Sequence, residues 1–381
     1  MFGDPVTLAQ ELIRRPSVTP RDEGCQEILI SRLEDLGFTV YRLKFGVVEN
    51  FYARLGGVGR HFCFAGHTDV VPSGDAKRWT AAPFGGEIRD GVLFGRGVAD
   101  MKGGVAAMTA AVERFLAERP TFKNEGSLSF LITGDEEAEA VDGTVKVLEW
   151  MERRGERIDC CLVGEPTSSE RVGDVVKVGR RGSLNGEIVV QGIQGHVAHP
   201  HRARNPIHQA LPVLAEAAAL AFDQGDAFFP ASCLQFTNLH AGEGVNNVIP
   251  GELRARFNVR HGPASSAADM IAQLRALLDR AGLEYTLESQ VSGDPFLTPG
   301  GFLLEAVQEA VRDVTALTPE SSTSGGTSDA RFIAKICPQT VELGLLGQTI
   351  HQVDERCPVA DLHRLTEMYL RVLHRLYPTA P

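Results

Sequence analysis

Five short segments each place a metal-type ligand directly after a hydrophobic run. They are Phe64-Ala65-Gly66-His67-Thr68-Asp69, Gly97-Val98-Ala99-Asp100-Met101-Lys102, Thr133-Gly134-Asp135-Glu136-Glu137, Val163-Gly164-Glu165-Pro166 and Thr349-Ile350-His351. A charged or imidazole group that follows a buried strand sits at the strand's C-terminal mouth, where open α/β sheets bind ligands. Two histidines and several carboxylates gathered there match a hydrolytic site built on two divalent cations.

The segments differ in what each can contribute. His67 and Asp69 are two residues apart, so one can ligate a cation while the other holds the imidazole by its second nitrogen. Alone, the pair also suits a structural histidine beside a turn aspartate. Asp100 lies in the glycine-rich run 95–104, which lacks the Gly-Lys-Ser/Thr ending of a P-loop and the third glycine of a dinucleotide fingerprint. Its glycines instead allow a tight turn that points one carboxylate into a cleft, and that carboxylate's two oxygens can bridge two cations. Asp135, Glu136 and Glu137 read either as a solvated acidic loop or as adjacent acids in different roles. In the second case one ligates a cation and its neighbour faces the attacking water as general base. Glu165 is held extended by Pro166. The set fits a division of labour in which Asp100 is shared, each cation takes one histidine and one glutamate, and one glutamate stays free.

The elements needed to position these groups can be read from periodicity. Helical spacing runs from Pro5 to Arg15 and from Gln26 to Leu36, followed by strand-like runs Thr39–Leu43, Asn50–Leu55 and His61–Ala65. An alanine-rich helix, Val105–Leu116, follows Asp100, and Leu128–Ile132 and Cys160–Val163 read as strands covered on both faces. From about Gly179 to Gly293 the order becomes strand, helix, strand, strand, helix, strand, which is ferredoxin-like. Alternation then resumes with helix Phe302–Ala316, strand Thr340–Leu345 and a last helix, 358–376. The predicted fold class is α/β. A discontinuous catalytic domain, 1–178 and 293–381, carries helices on both faces of a mixed sheet and surrounds an inserted α+β domain, 179–292.

Composition narrows the classes. With 381 residues and 43% hydrophobic content the chain can bury a large core. A net charge of −11 argues against nucleic acid as a partner. No apolar run is long enough for a membrane span, and residues 1–10 lack the basic start of a secretory signal. The seven scattered cysteines form no CxxC pair, as expected of reduced thiols in a cytoplasmic protein.

These segments, together with Gly179-Arg180-Arg181-Gly182-Ser183-Leu184, Gly195-His196-Val197-Ala198, Asn246-Asn247-Val248-Ile249-Pro250 and Ser324-Gly325-Gly326-Thr327-Ser328-Asp329, resemble the M20 family of co-catalytic zinc peptidases and deacylases. The resemblance runs from about Pro5 to Leu376. It implies a zinc-peptidase-like catalytic domain and makes the inserted domain a dimerisation surface. It also implies two zinc ions per subunit, which cobalt could replace. By position, His67 and Glu165 would hold one zinc, Glu137 and His351 the other, and Asp100 would bridge them. Asp69 would orient His67, and Glu136 would be the general acid/base. His196 would reach the active site of the other subunit of a homodimer and stabilise the oxyanion. The family pattern leads one to expect tyrosine three residues after that histidine, where this chain has His199.

The implied reaction is hydrolysis of the amide of N-succinyl-LL-2,6-diaminopimelate. A free succinyl carboxylate calls for cations, and Lys177, Arg180, Arg181 and Arg260 are the candidates. Lys177 could equally be a plain exposed lysine. Ser183, His199, Asn246, Asn247 and Thr327 would add polar contacts, while Gly325 and Gly326 would let backbone amides approach. The alternatives are another amide hydrolase of the family (an N-acetylornithine deacetylase or a dipeptidase), a non-catalytic binding protein, and a nucleotide-binding enzyme built on the run near Gly95.

Overall fold

Three of the five hydrophobic runs that end in candidate ligands become neighbouring parallel strands, whereas those before Asp100 and His351 form no strand. In a computed structural model, which describes residues 2–378, His61–His67 lies parallel to Ser127–Thr133 on one side and to Cys160–Val163 on the other. All three strands are buried along their whole length, as expected where helices cover both faces. The sheet has eight strands in the order 39–45, 48–56, 127–133, 61–67, 160–163, 340–342, 175–177, 320–322. It is mixed, because Val48–Gly56 runs antiparallel to Ser127–Thr133.

Register decides where the ligands go. His67 pairs with Thr133, and Ala65 pairs with Val163. The loops that follow these strands therefore leave the sheet at one edge, carrying Glu136, Glu137 and Glu165 beside His67.

The chain divides into two compact units. One comprises Met1–Gly179, Leu297–Ser322 and Ser328–Pro381, and the other Arg180–Phe296 with Thr323–Thr327. Residues 1 and 379–381, inside the expected catalytic domain, lie outside the described residues. The division departs from the alternation pattern at 323–327, which group with the second unit.

In the first unit, Pro5–Ile13 starts on Asp4, whose carboxylate accepts from the amides of Val6 and Thr7, with Pro5 preset for the first turn. Helices Gly103–Glu118, Phe302–Thr315 and Val359–Leu376 pack together, and their apolar sides join Phe62, Phe64 and Phe130 in one core. On the opposite face Trp150, from helix Thr144–Arg153, packs on Tyr41 and Tyr52. This short helix and the strands Val175–Lys177 and Glu320–Ser322 are not singled out by periodicity, since they offer only two or three turns or three residues. Among the described residues no helix is long and apolar enough to cross a membrane.

The second unit is a four-stranded antiparallel sheet in the order 233–241, 252–261, 182–191, 285–293, the ferredoxin-like arrangement. Helices Pro206–Ala218 and Ala267–Arg280 cover it. Leu184, Ile188, Val190, Ala255, Phe257 and Val259 face Leu214, Leu274 and Leu278 in a core of its own.

Gly104 marks a close backbone approach between helix and sheet near the candidate ligands. A Cβ there would lie 2.5 Å from the carbonyl oxygen of Gly164, one residue before Glu165. Backbone cannot yield as a flexible side chain does, so Gly104→Ala is expected to destabilise the chain by about 1–3 kcal/mol. A chemical-denaturation midpoint equal to that of the parent chain would contradict this crowding.

Candidate active site

Five ligand-type side chains, one from each of five segments of the first unit, meet at the C-terminal edge of its parallel strands. They form two groups, His67 with Asp100 and Glu165, and Asp100 with Glu137 and His351, and within each group the ligand atoms lie within 4.8 Å of one another. Asp100 belongs to both. Its Oδ1 is 3.2 Å from Nε2 of His67, and its Oδ2 is 3.6 Å from Nε2 of His351. The remaining separations are 3.9 Å from His67 Nε2 to Glu165 Oε1 and 2.9 Å from His351 Nε2 to Glu137 Oε1.

These distances suit a pair of cations. Bonds to zinc of 2.0–2.2 Å put neighbouring donors of a tetrahedral ion about 3.3–3.5 Å apart. The observed pairs bracket that value, and the donors are the imidazole and carboxylate types that zinc or cobalt accepts. The electrostatics point the same way. Burial works against a charged His67, but hydrogen bonds to Asp100 and Asp69 outweigh it and hold the pKa well above the usual histidine value. His351 is raised by its hydrogen bond to Glu137. Burial, reinforced by the charge of Glu165, pushes Glu136 well above the ordinary carboxylate range. Negative charge is crowded into a space with little water, and divalent cations would relieve it.

Glu136 stands outside both groups, with Oε2 4.0 Å from Nε2 of His67. It is the spare carboxylate. Asp69 sets its position: Oδ1 accepts from the amide of Glu136 at 3.3 Å and Oδ2 from the amide of Glu137 at 3.1 Å. The contact that orients His67 is shared, since Nδ1 is 2.9 Å from the main-chain oxygen of Asp69 and 3.5 Å from its carboxylate. Asp69 thus supports the acidic turn as well as the histidine. Asp135 is buried and accepts from the amides of Val141 and Asp142, so it closes the loop. The run around Gly95 does not offer its lysine to a phosphate. Lys102 is buried and donates to the carbonyls of Leu12 and Arg15.

Two residues that motif reading passes over also bear on the site. Glu355, fully buried, accepts from Arg96 and from the amides of Gly97, Ala99 and Asp100. The available signals were weak: Glu355 lies four residues after His351, and Arg96 sits inside the glycine-rich run.

Lys177 of the first unit is buried rather than exposed, with Nζ 3.2 Å from Ser322 Oγ. The other substrate-binding candidates fall in the second unit. Arg180 is buried and donates to the carbonyl of Gly326 at 3.3 Å, close to Gly325, whose φ of +102° suits glycine. Arg181 Nε and Arg260 Nη1 are buried and have no hydrogen-bond partner among the described residues. Burial, then the charge of Arg181, lowers the pKa of Arg260. Two guanidinium groups brought together in this way favour an anion. Ser183 is buried and accepts from Asn258. Thr327 is half-buried.

His196, His199, Asn246 and Asn247 are exposed. A two-stranded ladder pairs Gly195–His196 with Val248–Ile249, and Val197 donates to the carbonyl of Asn247, so the two motifs are neighbours. His196 Nδ1 accepts from the amide of Ala198, which places the proton of a neutral ring on Nε2, facing away from the backbone. The His199 ring lies 6.0 Å from that of His196.

The sequence profile of peptidase family M20/M25/M40 matches residues 63–375. The chain is 58% identical over 375 residues to a succinyl-diaminopimelate desuccinylase of Magnetococcus marinus, covering 98% of this chain and 99% of that one. It is 51% identical over 376 residues to a succinyl-diaminopimelate desuccinylase of Nitrosomonas eutropha, covering 99% of both. Two solved structures are similar in fold. One is an M20 family metallo-carboxypeptidase of Sulfolobus solfataricus, with a TM-score of 0.79, 18% identity and coverage of 98% and 99%. The other is a dinuclear metal-binding M20 peptidase of Bacillus subtilis, with a TM-score of 0.74, 16% identity and coverage of 99% and 98%.

Asp69→Asn turns one of the two acceptor oxygens beneath Glu136 and Glu137 into a donor. Cation affinity is expected to fall about 10–100-fold, as for other outer partners of ligating residues. Calorimetry with Zn2+ on the metal-free chain measures it, and an unchanged affinity would count against the role of Asp69.

Proposed function

The chain belongs to peptidase family M20/M25/M40, and from that premise we propose that it hydrolyses the amide of N-succinyl-LL-2,6-diaminopimelate to succinate and LL-2,6-diaminopimelate. The observation that carries this reading is 58% identity to a desuccinylase over nearly the whole of both chains.

In this reading His67, Asp100 and Glu165 would hold one zinc ion and Asp100, Glu137 and His351 the other, and cobalt could take the same ligands. Bound cations supply Lewis-acid polarisation of the amide carbonyl and lower the pKa of the attacking water. Glu136 takes the proton as the C–O bond forms and passes it to the departing nitrogen as the C–N bond breaks. Asp69 keeps that carboxylate in place through the backbone of the 135–137 turn. His196, with its donor on Nε2, is assigned to the oxyanion of the opposite subunit in a homodimer formed through the inserted domain.

Lys177, Arg180, Arg181 and Arg260 are the cations assigned to the succinyl carboxylate. The two unpartnered guanidinium nitrogens of Arg181 and Arg260 support this choice over an uncharged acetyl group. Ser183, His199, Asn246, Asn247 and Thr327 would complete the polar lining, with Gly325 and Gly326 leaving room for the backbone. The scattered thiols and this reaction fit the cytoplasm.

Side-by-side assay of N-succinyl-LL-2,6-diaminopimelate and N-acetylornithine tests the substrate. Efficient turnover of the acetyl compound alone would overturn the proposal. Glu136→Gln is expected to lower kcat by about 10²–10⁴-fold with cation content unchanged. Turnover at the parent rate would remove Glu136 from proton transfer. His196→Ala is expected to cost about 10²–10³-fold in kcat. Mixing it with Glu136→Gln under proven subunit exchange should restore activity in hybrid dimers, and its failure to do so would sink the contribution across the dimer.

A further inference from the structure

Asp100 and His351 sit 251 positions apart in the chain, on loops rather than on strands, yet both must aim at one point. A single buried ion pair ties these loops together. Arg96 and Glu355 are 2% and 0% exposed, with Nη1 to Oε2 at 2.7 Å. Every side-chain acceptor atom of Glu355 is engaged on the Asp100 loop. Oε2 also accepts from the amide of Gly97 at 2.9 Å, and Oε1 accepts from Ala99 at 2.9 Å and Asp100 at 3.2 Å. Arg96 answers from the other side. Its Nη2 lies 3.3 Å from the carbonyl oxygens of Pro72 and of His351.

Both loops need such a clamp. Gly97 has a φ of +84°, and a Cβ there would meet Val70 at 2.4 Å. His351 itself has a φ of +61°, a conformation non-glycine residues rarely adopt and one that the surroundings must enforce. The other ligands have different supports. His67 ends a strand paired on both sides, and Glu165 follows a strand in the same sheet.

We propose that Arg96 and Glu355 are positioning residues for the cation held by Asp100, Glu137 and His351, and that they govern its affinity much more than that of the cation held by His67, Asp100 and Glu165. The asymmetry follows from the count of anchored ligands. The pair fixes the backbone of two ligands of the first-named cation but only the shared Asp100 of the other. This rests on the two-cation reading of the site and adds to it an order of loss.

The test is calorimetric binding of Zn2+ alone to the metal-free full-length chain, with bound zinc counted after dialysis. Two equivalents on the parent chain support the two-cation reading, and fewer would sink that reading independently of the clamp. Glu355→Gln is expected to keep one tight equivalent and to weaken the other about 10–100-fold. His351→Ala identifies which one: it should lose the same equivalent, and the double variant should bind the remaining ion as His351→Ala does. Arg96→Lys keeps a cation beside Glu355 but cannot also reach the carbonyl of His351, so it should show the same selective loss. It decides the matter alone if Glu355→Gln does not fold. Two unchanged equivalents, or equal weakening of both, would overturn the proposal, because a pair that merely stabilises the fold has no reason to distinguish the two cations.

Discussion

The carboxylate of Asp100 must face two histidines at once, and the surrounding architecture answers to that requirement. One oxygen looks toward His67 and the other toward His351. Such a geometry brings negative charge into a buried space, where it is costly unless neutralised. Desolvation and like charges together lift Glu136, while the carboxylates lift both histidines. The glycines around Asp100, the fully buried Glu355 beneath its loop and the tight seat of Gly104 against Gly164 all hold this carboxylate in place.

The sheet supplies the other half of the constraint. Parallel strands can share an edge only if their registers agree, and here His67, Thr133 and Val163 end within a residue or two of one another. Three loops then open at one place without long excursions. One of them carries two acids with different fates. Glu137 joins a ligand group, and Glu136, one residue earlier, does not. Asp69 accepts from both backbone amides, so which of the two carboxylates joins the group is set by the geometry of one turn. The second unit has its own logic. Its antiparallel sheet buries a separate core, and its arginines at 181 and 260 are kept close against their mutual repulsion, which favours an anionic ligand.

Much of this was readable residue by residue. The apolar runs at 61–65, 128–132 and 160–163 are too continuous for exposed strands, and the observed strands contain them. The ferredoxin-like order of the inserted segment follows from the alternation of period two and period 3.6, because those periods follow from backbone geometry alone. His67, Glu137 and Glu165 were legible as candidates because they lie just past such runs. Less legible was Lys177, whose burial beside Ser322 depends on a pairing between strands of three residues each. Arg96 and Glu355 were barely legible, since a buried ion pair between positions 259 apart leaves no local pattern beyond their nearness to Asp100 and His351.

Sequence by itself determined which side chains could bind cations, which could move a proton, and that a second, ferredoxin-like unit interrupts the first. These are properties of residue type and of short-range periodicity, and both survive in a linear string. Tertiary structure decided the separations between the ligand-type atoms, with Asp100 in both groups and Glu136 in neither. It also decided that Asp69 serves the acidic turn as well as His67, and that Arg96 and Glu355 tie the two ligand loops together. Each of these depends on distances between atoms far apart in the chain, set by strand register and by which buried polar groups find partners, and no local pattern of residues encodes them.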